Sequence, residues 1–576
     1  MKQTIGGSTI LAKCLKKEGI TTIFTLSGGH TMSIYYACAD EGIEVVDCRS
    51  EANAVMAADA YAKVTGGPAV VVTTAGPGTA NTTTGMLEAM TGRTPVIQIG
   101  SSCALQVQGT GDMQDIDTLG VMRCCTKWAK KVYHTHRIAD QMDDAFRHAM
   151  SGLPGPVYVE IPTDVLMGLA DEEDVYISKK SRTTTLPAPD QNAVDEAVAL
   201  LLEAKRPLMV IGNAARYSCE PATAVLELAE YLDMPVIAAT ISRGLFLPET
   251  HQLVQAGAAA AADADVVLTL CTANDLAFNK FESPAYNKNS NFIMVSPDSS
   301  NIGYNRDVEV GIVSGAAGAA SAILKTLKKQ TQPKKRGEHI EQLLTKADAI
   351  KASQHELIYG QSKEIRPGRC AAETVKFLND MGRDWTIVPD GGDSGGWMNT
   401  LSVAHRGAQV IGLIGNGSIG IAPGSALGAY YGTRKPVLLY TGDGSFGYNF
   451  MEFANYVKRG FPIIVVVSND SAWGMVKGCE HVIRPNLFLN YEKEHYDGLA
   501  VNLSFIRYDQ IAEILGGYGE LVETAEEIVP AIKRAAASGK PAIINVRVED
   551  ITLGGYGPRT TGYGHLLGQY AFDYTD

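Results

Sequence analysis

The chain has 576 residues and a mass of 61.5 kDa, several times a typical domain, so several packed domains are expected and a single small binding module is excluded. With 45% hydrophobic and 20% charged residues and a mean hydropathy of −0.02, the composition is globular and excludes collagen-like repeats and wholesale disorder. Lys and Arg number 50 against 63 Asp and Glu, and the net charge of −13 repels phosphate backbones, so no nucleic-acid partner is expected.

No apolar run approaches the ~18 residues of a membrane helix, and no membrane partner is expected. The opening Lys2-Gln3-Thr4 lacks the charged-then-apolar plan of a secretory leader, which predicts a cytoplasmic location. Cysteines at 14, 38, 48, 103, 124, 125, 219, 271, 370 and 479 form no CxxC pair and no zinc spacing; they read as reduced, mostly buried thiols.

In chain order, residues 5–18 have helical periodicity, 22–26 read as a short strand, and 51–64 as an alanine-rich helix. Residues 69–74 (AVVVTT) are a fully buried strand, followed by the turn Gly76-Pro77-Gly78 and a strand at 95–99; the stretch 155–162 closes the block. Polar residues 171–191 read as a linker. A second unit opens with a helix at 193–204 and strands at 208–211 and 266–270, fading into a Lys- and Gln-rich segment at 325–335. A third begins near Gly368, with strands at 386–388, 437–440, 463–467 and 542–546 separated by Gly-rich turns. The expected fold is α/β: three doubly wound parallel-sheet domains over 1–172, 190–330 and 368–555, then a Gly/Tyr-rich tail, 556–576, that is either disordered or docked over a site.

One constellation carries chemistry. Strand 437–440 runs into Thr441-Gly442-Asp443-Gly444-Ser445, and the next strand ends in Asn469-Asp470, 27 residues beyond Asp443. Both carboxylates then stand just past the carboxyl ends of neighbouring parallel strands, where open α/β sheets bind ligands. A carboxylate from each, with loop carbonyls and diphosphate oxygens, suits the octahedral oxygen shell of Mg²⁺. Gly442 and Gly444 let backbone amides approach a phosphate, and Ser445 is expected to cap the helix that follows.

At this point the chain resembles the thiamine-diphosphate (ThDP) enzymes of the acetolactate synthase, benzaldehyde lyase and pyruvate decarboxylase group, over almost its whole length. The resemblance implies the cofactors ThDP and Mg²⁺, with the metal on Asp443, Asp470 and the carbonyl of Ala472. In Gly415-Asn416-Gly417-Ser418-Ile419-Gly420 it implies that Ile419 wedges beneath the cofactor and bends it, and that the Gly417 carbonyl holds the pyrimidine amino group. Glu51, in Cys48-Arg49-Ser50-Glu51-Ala52-Asn53, matches the glutamate that protonates the pyrimidine, and Gly76 to Asn81 match the loop packed on that ring. The implied cofactor contacts are Glu51, Pro77, Asn81, Gly391, Gly392, Gly417, Ile419, Gly442, Asp443, Gly444, Ser445, Asp470, Trp473, Gly474 and Met475. A homodimer or homotetramer with active sites between subunits follows from the same resemblance.

The substrate side is implied more sparsely. Leu26-Ser27-Gly28-Gly29-His30 is similar to the Gly-Ala-His of benzaldehyde lyase, which makes Gly29 and His30 pocket residues and His30 catalytic; Gln114 falls on the glutamine of the synthase Gln-Glu motif and is expected to be a catalytic pocket residue that reaches the intermediate. Gly474-Met475-Val476-Lys477-Gly478-Cys479 carries Cys479 where branched-chain acetolactate synthases carry a pocket tryptophan. The middle domain lacks the Gly-Met-x-Gly run of flavin-binding relatives, so FAD is not expected, and a flavin-dependent oxidase ranks low. The expectation is a non-oxidative lyase or carboligase acting on 2-hydroxyketones or 2-ketoacids, with an acetolactate synthase-like enzyme or a 2-hydroxyacyl-CoA lyase as alternatives. Arg216, Arg243 and Lys280 are too scattered to mark a CoA-phosphate patch.

Overall fold

The computed structural model describes residues 3–218, 223–272, 276–382, 384–412, 416–483 and 500–550. The tail at 556–576, Gly415 and Cys219 lie outside the described residues. Three sheets, each wholly parallel, carry the fold. The chain divides into two compact units: the described residues within 1–349, 404–409 and 414–416, and those within 350–403, 410–413 and 417–576.

The first unit holds two of the sheets. The first contains β1 (Thr22–Thr25), β2 (Glu44–Asp47), β3 (Ala69–Thr73), β4 (Val96–Ser102), β5 (Trp128–Lys131) and β6 (Val157–Pro162), in the order β2-β1-β3-β4-β6-β5. β3, β4 and β6 are buried along their whole length, as central parallel strands are; β3 (AVVVT) is a nearly continuous apolar run, whereas β4 also buries Gln98, Ser101 and Ser102 and β6 buries Glu160. Val70, Val72, Ile97, Ile99, Val157, Val159 and Ile161 share one core with Ile10, Leu11 and Phe146. The stretch read as a helix from residue 5 begins instead as a strand, Thr4–Gly6, paired antiparallel with Leu169–Asp171; the helix is Gly7–Lys17. A partner more than 160 residues away in sequence overrides local periodicity there.

The second sheet of this unit comprises β7 (Pro207–Ile211), β8 (Val236–Ala238), β9 (Val266–Leu270), β10 (Asn291–Ser296) and β11 (Val310–Val313), in the order β8-β7-β9-β10-β11. That order reverses direction beside β7, the doubly wound pattern. Its leading helix, Gln191–Glu203, is capped by the Asp190 carboxylate, which accepts from the amides of Asn192 and Ala193.

The other unit carries β12 (Thr386–Pro389), β13 (Val437–Gly442), β14 (Ile463–Asn469), β15 (Tyr518–Val522) and β16 (Ala542–Arg547), in the order β12-β13-β14-β16-β15. β14 is buried at every position, from Ile463 to Asn469. Among the described residues, no helix is long and apolar enough to cross a membrane.

Candidate active site

In the first unit, β1 and β3 pair with Thr25 opposite Val72, so the loops that follow them leave side by side. The loop after β1 passes Gly28 into a tight turn, Gly29–Thr31, which carries His30. The loop after β3 runs through Thr74 to Gly76, whose φ of +59° places it in the left-handed region, and into the short helix Pro77–Ala80. Thr74 sits between the two: a Cβ on Gly28 would lie 2.3 Å from its Cβ, and one on Gly78 would lie 2.6 Å from its Cγ2. Its hydroxyl is 3.3 Å from His30 Nδ1.

The helix α1 (Glu51–Thr65) enters the same edge with Glu51 as its first residue. Ser50 caps it, the hydroxyl accepting from Asn53 N at 3.1 Å, and Gly66 ends it at φ +74°. Glu51 is only 7% exposed, and its Oε2 accepts from Asn81 Nδ2 at 3.1 Å. A Cβ on Gly78 would stand 3.3 Å from Glu51 Oε1. Gln114, itself at φ +63°, lies against Gly76, where a Cβ would come within 2.9 Å of its own Cβ. Gln114 Oε1 is buried without a hydrogen-bond partner among the described residues. Asp115 steadies this loop by accepting from Gly109 N at 2.6 Å. Six residues singled out in the sequence (Gly29, His30, Glu51, Pro77, Asn81 and Gln114) therefore sit on adjoining loops and helix ends at the carboxyl end of one sheet.

In the second unit, β13 and β14 pair with Gly442 opposite Ser468, so Asp443 and Asp470 leave neighbouring strand ends one residue apart in register. Asp443 is 3% exposed, and its Oδ1 has no hydrogen-bond partner among the described residues. Burial pushes its carboxyl up to about 6; burial and the facing Asp443 carboxylate push Asp470 well above the usual carboxylate range. A buried carboxyl at Asp443 and a half-buried one at Asp470, close enough to perturb each other, form an oxygen donor set that fits a hard divalent cation. Ala472 is buried, its amide donating to Asp470 Oδ1 at 3.2 Å. No group of three or more His, Cys, Asp or Glu poised for a metal occurs among the described residues, so the fit rests on this pair with a backbone carbonyl.

Around the pair the glycines keep close approaches open. A Cβ on Gly444 would stand 2.7 Å from the Trp473 ring, and one on Gly391 would stand 2.6 Å from Ile419 Cγ2. Gly392 and Gly417 adopt φ +78° and +70°. Ser445 is not the cap that was expected: the helix Asp443–Asn449 starts two residues earlier, with Gly442 as its cap, and Ser445 lies inside its first turn. The chain turns after β13 without an intervening linker residue, and Asp443 itself takes the favourable acidic place at the helix start. Gly474 opens the helix Gly474–Ile483, which holds Met475 and Cys479. Cys479 is buried; burial, with the Asp393 carboxylate, raises its thiol.

Three residues escaped sequence reasoning. Thr74 links the His30 loop to the Pro77 loop. Asp390 follows β12 directly and is wholly buried. Lys477, 3% exposed, pairs with Asp550 and donates to Asn502 Oδ1 at 2.8 Å. Only Asp390 had a signal available: like Asp443, it is an acid between an apolar strand and glycine. Two of the three cations weighed for a phosphate patch are engaged within the first unit. Arg216 donates to the carbonyls of Lys63 and Val64 at the end of α1, and Arg243 makes a two-pronged bond to Glu249 at 2.7 and 2.8 Å.

Comparison with known proteins meets the same architecture. Three family models match, described as the thiamine pyrophosphate enzyme N-terminal TPP binding domain over residues 5–121, its central domain over 194–326, and its C-terminal TPP binding domain over 390–546. The chain belongs to the thiamine pyrophosphate enzyme family and is a ThDP-dependent enzyme. It is 30% identical over 550 residues to the acetolactate synthase large subunit IlvG of Mycobacterium tuberculosis, covering 94% of this chain and 96% of that one. It is also 29% identical over 584 residues to 2-hydroxyacyl-CoA lyase 2 of Danio rerio, covering 94% and 91%. A 2-hydroxyacyl-CoA lyase of Arabidopsis thaliana is 26% identical over 569 residues, covering 95% and 96%.

Proposed function

We propose that this enzyme is a Mg²⁺-dependent, non-oxidative lyase or carboligase that breaks or forms the C–C bond beside a carbonyl in 2-hydroxyketones or 2-ketoacids. The observation that carries this reading is the meeting of His30, Glu51, Asn81 and Gln114 on adjoining loops and helix ends, with Gln114 Oε1 buried and unpartnered among the described residues. When bound, ThDP supplies the electron sink for C–C cleavage next to a carbonyl. Glu51, oriented by Asn81, would hold a proton at the pyrimidine ring. His30, with Nδ1 toward the Thr74 hydroxyl, has Nε2 left to move a proton at the substrate hydroxyl, and Gln114 would bind that substrate. Asp443, Asp470 and the Ala472 carbonyl would hold Mg²⁺; Gly391, Gly442, Gly444 and Ser445 would take the diphosphate and Ile419 the bend of the cofactor. The active form would be a cytoplasmic homodimer or homotetramer with active sites between subunits.

A second reading, 2-hydroxyacyl-CoA lyase, draws on relatives so named that cover 94% of the chain. The engagement of Arg216 and Arg243 counts against those two side chains as CoA-phosphate contacts. An acetolactate synthase-like role has the mycobacterial relative in its favour and Cys479, in place of tryptophan, against it. The deciding experiment supplies ThDP and Mg²⁺ and offers benzoin, acetoin, pyruvate and a 2-hydroxyacyl-CoA separately, following products by chromatography. Aldehyde from the hydroxyketones supports the lyase; turnover confined to the CoA thioester, or acetolactate from pyruvate alone, replaces it with one of the other two readings.

A further inference from the structure

Asp390 is the first residue beyond β12 and has no solvent exposure. A carboxylate so placed is costly unless its oxygens are fully hydrogen-bonded. Its partners come from three separate segments. Oδ1 accepts from Gly391 N at 2.8 Å and from Ile421 N at 3.2 Å; Oδ2 accepts from the Thr441 hydroxyl at 3.1 Å. Its own amide donates to Tyr440 O at 2.9 Å, extending the β12–β13 ladder by one rung.

Each partner adjoins a piece of the cofactor half-site. Gly391 is the glycine against which Ile419 packs, Ile421 follows Ile419 by two residues, and Thr441 precedes Gly442-Asp443. Two of these segments are Gly-rich and contain left-handed glycines at 392, 417 and 420, so their backbones have little intrinsic preference for one arrangement. A single buried side chain bonded to all three fixes their mutual spacing.

We propose that Asp390 is a positioning residue for ThDP: it touches neither cofactor nor substrate, but holds the Gly391 amide, the Ile419 wedge and the Thr441-Gly442-Asp443 turn in one register. The inference rests on the ThDP reading of the site. An acid that merely stabilised the fold would affect the empty and loaded protein alike, whereas a positioning acid acts on cofactor affinity.

The test uses the full chain and compares Asp390→Ala, Asp390→Asn and Thr441→Val with the wild type. Two quantities are read: the Kd for ThDP by calorimetry in saturating Mg²⁺, and the Tm of the cofactor-free protein. Asp390→Ala is expected to raise Kd more than tenfold. Asp390→Asn, whose amide oxygen can still accept from Gly391 and Ile421, is expected to recover most of that loss, and Thr441→Val should raise Kd severalfold with Tm little changed. If Asp390→Ala does not fold, the other two variants decide. Wild-type Kd in every folded variant would overturn the proposal, as would a loss in Kd that merely follows a loss in Tm. Failure of the wild type to bind ThDP would overturn the functional reading and this inference together.

Discussion

Replacing Glu51 with glutamine probes the first half-site with little structural disturbance. Glu51 is 7% exposed at the first turn of α1, and one oxygen accepts from Asn81 Nδ2 at 3.1 Å. Glutamine has the same shape and keeps an oxygen for Asn81, so the fold should lose no more than one ordinary hydrogen bond, about 1 kcal/mol. The proton-holding role proposed for Glu51 would be lost outright. Placed proton transfer contributes roughly 10²- to 10⁴-fold, which at 1.36 kcal/mol per decade is about 3–5.5 kcal/mol of barrier. The two effects differ enough to separate. Tm and ThDP affinity should change little, while turnover with saturating cofactor, and deuterium exchange at its reacting carbon, should slow at least a hundredfold. More than half of wild-type turnover in Glu51→Gln would refute the assignment.

Other expectations follow from single contacts. Ser50→Ala removes the acceptor for Asn53 N at the head of α1 and should cost about 1 kcal/mol in denaturant unfolding; an unchanged midpoint would show that the cap contributes nothing. Asp443→Ala, or chelation of the wild type, should abolish ThDP retention rather than only slow turnover, and undiminished affinity by calorimetry would remove the metal from Asp443.

Long buried strands were legible because a continuous run of β-branched residues has few other solutions: residues 266–270 were expected as a strand and form β9, and 463–467 extend only to Asn469. Glu51 as a helix start was legible because Ser50 supplies a cap and the alanines that follow favour helix. The strand Thr4–Gly6 was not, since its only cause is pairing with Leu169–Asp171. Asp443 and Asp470 announce themselves by their place after apolar strands, and register then brings them together. Thr74 carried no such sign: its importance depends on two glycines, Gly28 and Gly78, approaching it from different loops. Ser445 misled because a serine near a helix start is so often the cap, whereas here the strand feeds the helix directly through Gly442.

The central claim is non-oxidative cleavage dependent on both ThDP and a divalent cation, and aldehyde release from a 2-hydroxyketone tests it most directly. Purified protein stripped of cofactor is titrated with ThDP at fixed Mg²⁺, then treated with chelator and resupplied with the metal, while aldehyde and dissolved oxygen are followed. The account predicts aldehyde formation that saturates with ThDP, stops on chelation, resumes with Mg²⁺ and consumes no oxygen. Aldehyde release indifferent to ThDP or chelator, or oxygen uptake in step with turnover, would contradict it.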